Sequence, residues 1–167
     1  LIASLSSPDF LCQRYGAMGI GNLATNMGNQ EKILHEGALY PLVSLARRDN
    51  GDLDSQRYAV FALTNLACSK QNHPQMIEAG ILSVFVALMG DDDVDIRKSA
   101  TFGVANFSSA ADNPPMLIQE GVVEPLIRLA VSDDPQAQLR AVSALRGLSI
   151  DHEIRKEIVR RGGRARL

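Results

Sequence analysis

The 167 residues are 46% apolar and carry a net charge of −2, which excludes a disordered or fibrous chain and speaks against nucleic acid as the main partner. Two cysteines, Cys12 and Cys68, supply neither a disulfide framework nor a metal set, and they suit a reducing, cytoplasmic setting. No apolar run approaches the roughly 20 residues of a membrane-spanning helix, and no signal peptide is recognisable, so direct membrane insertion is not expected.

In chain order, the sequence opens at LIASL, already inside an apolar pattern, as an excerpt of a longer array would. A helix carrying GIGNLAT (Gly19–Thr25) follows, then a short one with the apolar pair Ile33/Leu34 that stops before Gly37. From Gly37 the chain repeats itself. Residues 37–79 form one unit: a helix in PLVSLARR, an acidic turn DNGDLD, a long helix over Ser55–Cys68, and a short helix with Met76/Ile77. Residues 80–120 and 121–161 repeat that order, with DDDVD and SDDP as the acidic turns and Leu117/Ile118 and Ile158/Val159 as the closing pairs. The three units are 43, 41 and 41 residues long; residues 1–36 are a partial unit and residues 162–167 begin another. Gly37, Gly80, Gly121 and Gly162 fall where a left-handed residue would end each short helix. Gly16, Ala59, Ala100 and Ala141 share one column of the long helix, where neighbours must approach closely. No strand-like alternation occurs. A repeat of about this length with three helices predicts an all-α solenoid, in a single domain spanning 1–167.

The long third helices carry the informative face. At about 100° per residue, positions four and seven before Asn65 point the same way, which puts Tyr58, Phe61 and Asn65 on one face. The equivalent faces are Tyr15, Met18 and Asn22, then Ser99, Phe102 and Asn106, then Arg140, Ser143 and Gly147. Val60 and Leu63 point to the opposite, core side. Eight positions before each asparagine stand Arg14, Arg57 and Lys98, with Leu139 last in the column.

A glycine between the first and second helices, then [Y/E]PL[VI], then an alanine-rich third helix ending in NLA resembles the armadillo repeat. The resemblance covers the whole chain, and its phrasing is closest in character to armadillo scaffold proteins of the vacuole-anchored kind. It implies a right-handed superhelical solenoid of about four three-helix repeats, cut mid-repeat at both ends. It also implies a non-enzymatic scaffold that holds extended peptide segments in a concave groove lined by the third helices. In that family the repeated asparagine bonds the main chain of the bound peptide, and the role carries over to Asn22, Asn65 and Asn106. An amide supplies a donor and an acceptor and can pair with any peptide group. Tyr15, Tyr58, Phe61 and Phe102 would shape the pockets between rungs. Gly147 cannot take the asparagine's role, so the ladder ends or changes there. Arg14, Arg57 and Lys98 at the groove's edge would steer an acidic segment, as the positive groove of β-catenin does; the other reading is a solvated charge column.

Two rival readings stay open. Importin-α-type adaptors place a tryptophan four residues before the asparagine; here those positions are Met18, Phe61, Phe102 and Ser143, and the chain has no Trp. The asparagines would otherwise only hold spacer repeats together, since buried polar groups usually have intramolecular partners. The acidic turns at Asp49–Asp54 and Asp91–Asp95 lack the glycine and distal glutamate of a calcium loop and read as helix caps. His35, His73 and His152 are isolated from any nucleophile or carboxylate in motif spacing, so no catalytic residue, metal or cofactor is assigned. The basic stretch from Arg155 to Arg166 is interrupted by Glu157 and coincides with a first helix. Exposed repeat faces at the chain ends predict end-to-end self-association.

Overall fold

The computed structural model describes residues 1–47, 52–150 and 152–160, and every regular element among them is helical. Asp49, Gly162 and Arg166, named above, lie outside the described residues. A short 3-10 turn, Ala3–Ser6, precedes α1 (Phe10–Ala24), α2 (Met27–His35), α3 (Leu39–Ala46) and α4 (Leu53–Leu66). A second 3-10 turn, Lys70–Asn72, leads into α5 (His73–Glu78) and α6 (Ile81–Leu88). Then come α7 (Val94–Ser108), α8 (Pro114–Gln119), α9 (Val123–Ala130), α10 (Pro135–Leu148) and α11 (His152–Arg160). The third helices of the repeat are therefore α1, α4, α7 and α10.

Each helix boundary has a local cause. Asp9, Asp52, Asp93 and Asp134 stand one repeat apart, and each is the N-cap of a third helix, its carboxylate accepting from exposed amides of the first turn. Because Asp52 takes the cap, α4 starts at Leu53 and ends at Leu66, two residues earlier than the Ser55–Cys68 expected from sequence. At the short helices' ends, Gly37, Gly80 and Gly121 have φ of 89°, 76° and 78°. Around Gly37 the amide of Ala38 reaches Ile33 O and that of Gly37 reaches Leu34 O, the paired bonds of a Schellman motif.

The chain divides into two compact units, residues 1–84 and 85–167. In the first, α4 packs along α1 and against α3. Ala17, Ile20, Leu42, Val60, Leu63 and Leu66 are buried between them, and Ala59 in the small-residue column is fully buried. In the second, α10 packs on α7 and α9, with Ala100 and Ala141 fully buried. The rings of Phe85 and Phe107 meet there at 6.3 Å, tilted by 60°. Phe85 lies directly over Gly103, where any Cβ would collide with its ring. Truncating so large a buried ring costs about 3–5 kcal/mol, so the position is fixed by packing.

Two further columns, which the sequence analysis does not single out, close the helix ends. Gln13, Gln56 and Gln138 donate from the third helix to Ser7 O, Ala46 O and Ala130 O, carbonyls at or just beyond the end of the preceding element. Arg97 fills the same column and donates to Asp91 O and Asp92 O. Asn29, Asn72 and Asn113 each donate six residues back, to Leu23 O, Leu66 O and Phe107 O at the end of a third helix. Carbonyls in a helix's last turn have no intrahelical donor, so these side chains supply one.

Candidate peptide-contacting face

In the first unit the ladder face is formed by α1 and α4. Tyr15 is 60% exposed and Asn22 is exposed, its side chain making no hydrogen bond among the described residues. Met18, Tyr58, Phe61 and Asn65 are half-buried. Phe61 lies over Gly21, where a Cβ would come within 2.7 Å of the ring. Beside it, Asn65 Nδ2 donates to Gly21 O at 3.2 Å.

That last bond gives the asparagine a duty inside the protein. The final carbonyls of α1 are Gly21 to Ala24, and each has a partner. Asn22 O accepts from the amide and hydroxyl of Thr25, Leu23 O from Asn29, and Ala24 O from Gln30. Gly21 O accepts from Asn65, so one helix closes its neighbour's last turn. One N–H and the Oδ1 of Asn65 remain uncommitted among the described residues.

In the second unit the face lies on α7 and α10. Ser99, Phe102 and Asn106 are half-buried, while Arg140 and Ser143 are exposed. The guanidinium of Arg140 sits 3.7 Å from the centroid of the Phe102 ring. At the fourth rung a Cβ on Gly147 would stand 2.8 Å from Ser108 O. Backbone meets backbone there, which is the physical reason no asparagine occupies the position.

The basic column is not bare. Arg14 Nη2 lies 2.9 Å from Asp52 Oδ1, and its Nη1 lies 3.2 Å from Asp54. Arg57 pairs with Asp54 at 3.0 Å and Lys98 with Asp134 at 3.2 Å. Asp52 and Asp134 are also N-caps, so each carboxylate serves its own helix and the basic residue of the preceding third helix. Burial pushes the Asp52 carboxyl up, but hydrogen bonds from Ser55 and Arg14 outweigh it and hold the group below its ordinary value. Asp134 is likewise lowered: burial raises it, and the Ala137 amide and Lys98 prevail. Arg14 is raised, chiefly by its hydrogen bond to Asp52.

Among the described residues no group of His, Cys, Asp and Glu could hold a metal ion, and no helix is long and apolar enough to cross a membrane. His73 is buried, its ring nitrogen 2.9 Å from Ala67 O. It closes the end of α4, as Gln30 closes α1.

The fold and its face thus define an α-solenoid built of three-helix repeats with a polar-aromatic stripe on the third helix. Residues 111–150 match the family model described as the Armadillo/beta-catenin-like repeat. Among solved structures, computationally designed armadillo repeat proteins for modular peptide recognition superpose with a TM-score of 0.91 at 26% identity. That similarity covers 96% of this chain and 68% of theirs. An engineered protein gives a TM-score of 0.89 at 28% identity, over 97% of this chain and 66% of its own. A designed armadillo repeat protein in complex with the peptide (KR)4 gives 0.88 at 27% identity, over 96% and 68%. The chain therefore spans about two thirds of the length of these structures. No curated protein matches its sequence. The chain is an α-solenoid whose fold is similar to that of armadillo repeat structures.

Proposed function

We propose that this chain is a non-enzymatic interaction scaffold that holds extended segments of protein partners along its third-helix faces. The observation that carries the reading is the face itself: Tyr15 and Asn22 stand exposed, and Tyr58, Phe61 and Asn65 half-exposed, in repeat register. Aromatic rings supply contact area at low entropic cost, and amides pair with a peptide main chain whatever its side chains. Structural relatives made for peptide recognition support the same use. Asn22 is the freest main-chain reader; Asn65 offers its remaining N–H and Oδ1; Asn106 completes the set. Arg14, Arg57 and Lys98 border the face, with part of their charge answered by Asp52, Asp54 and Asp134.

The spacer reading keeps one specific support, the Asn65 bond to Gly21 O. A nuclear-transport adaptor has less: there is no Trp, and the chain's own Arg140 covers Phe102, the ring that a cargo lysine would need. An array of extended peptides of mixed charge separates these readings. Asn22→Ala with Tyr15→Ala should abolish binding and leave the melting temperature unchanged, since both side chains are exposed. Asn65→Ala with Asn106→Ala should weaken binding and also lower stability, by about 1 kcal/mol for the lost bond at Asn65. Binding that survives both pairs, with only the second pair melting lower, would establish the spacer reading. Selective capture of Lys/Arg-rich peptides would establish the adaptor.

A further inference from the structure

On the edge of the third-helix faces the cations Arg14, Arg57 and Lys98 are each met by a carboxylate. Arg140 is different. It is exposed, makes no salt bridge among the described residues, and belongs to a helix, α10, with no acidic residue in its sequence PQAQLRAVSALRGL. Its repeat-mates are Tyr15, Tyr58 and Ser99, seven positions before the ladder residue, so it stands on the face and not at the edge. What holds it is the Phe102 ring, 3.7 Å below the guanidinium carbon.

The chemistry of that arrangement is directional. A guanidinium lying on an aromatic face is held by its flat side, while its N–H groups point outward in its own plane. The ring reduces the side chain's freedom before any ligand arrives, and the donor fork matches the two oxygens of a carboxylate. The same ring face is closed to an incoming lysine or arginine, which would also meet like charge. We propose that Phe102 and Arg140 form a carboxylate-reading subsite, selecting extended segments that place an Asp or Glu on the α7–α10 face. The inference rests on the peptide-scaffold reading above and assigns its partner an acidic character at this rung.

The test uses fluorescein-labelled dodecapeptides that bind in the array, each remade with Glu, Gln or Lys at successive positions and titrated by fluorescence anisotropy. At one position Glu should bind roughly tenfold tighter than Gln, the scale of one charge-assisted pair, with Lys weakest. Arg140→Gln should erase the advantage of Glu over Gln. Phe102→Leu should shrink that advantage, and Arg140→Glu should reverse the order in favour of Lys; circular dichroism checks that each variant folds. A Glu/Gln ratio near one, or one that Arg140→Gln does not change, overturns the subsite while leaving peptide binding intact. Failure of every peptide to bind overturns both this inference and the scaffold reading.

Discussion

At Gly147 a single absent side chain sets how closely two helices pack. Two terms oppose each other on substitution to alanine. Helix propensity favours alanine by about 1 kcal/mol, while overpacking against a fixed neighbour costs about 1–3 kcal/mol. The neighbour here is Ser108 O, a backbone atom 2.8 Å from the would-be Cβ, so it cannot rotate away. Strain should win, and Gly147→Ala is expected to lower stability by up to about 2 kcal/mol in urea melts, with Gly147→Asn worse. An unchanged or raised midpoint would show that α10 can move off α7 at little cost. Asn65 shows the opposite case, in which the extra atoms reach across and satisfy Gly21 O.

At the scale of elements, the helix ends hold most of what sequence reasoning did not see. The repeat period, three helices per unit, the capping aspartates and the left-handed glycines were legible because each is a local signal with a fixed spacing. The Gln13/Gln56/Gln138 and Asn29/Asn72/Asn113 columns were present in the same alignment, but their meaning depends on which carbonyl lies opposite, a tertiary fact. The ladder face was legible as a face. That Asn65 closes α1, that Arg140 covers Phe102, and that Arg14 and Lys98 meet the N-cap carboxylates of the next third helix were not, because each joins residues from different repeats. His73 turns one of these end contacts into a pH effect. Burial lowers its pKa below the ordinary 6.5, outweighing the hydrogen bond to Ala67 O, and Lys70 lowers it further. The unfolded chain therefore binds more protons, and stability present at higher pH is lost as pH falls through about 6.5 toward the folded value. Its repeat-mate Gln30 makes the equivalent bond to Ala24 O without titrating. His73→Gln should thus remove part of the stability difference between about pH 7.5 and pH 5.5; equal slopes for both proteins in urea unfolding would rule this out.

At the scale of the whole molecule, apolar side chains stand exposed near both ends of the sequence. In the first unit Leu1, Leu23 and Met27 are exposed, and a cavity of about 430 Å³ is lined by Leu1, Ile2, Ile20, Leu23 and Ile33, among others. In the second, Leu139 and Ile150 are 68% and 81% exposed, and Val142 is 39% exposed where its repeat-mates Ala17, Val60 and Thr101 are fully buried. Exposed apolar side chains of this size favour association where they share a surface. Light scattering should show an average mass that rises with protein concentration, and Leu139→Lys with Val142→Lys should suppress the rise. A mass that stays monomeric for the parent chain would refute head-to-tail pairing through these surfaces.

Asp52 and Asp134 each bind two things at once: the first turn of their own helix and the cation of the helix one repeat earlier. In a one-dimensional account of repeat folding, energies divide into those a repeat owns and those it shares with its neighbour. A cap that also grips the preceding repeat moves from the first column to the second. Within each unit, then, the signal that starts a helix is also the bond that recruits its neighbour, and the order of one third helix is inherited by the next.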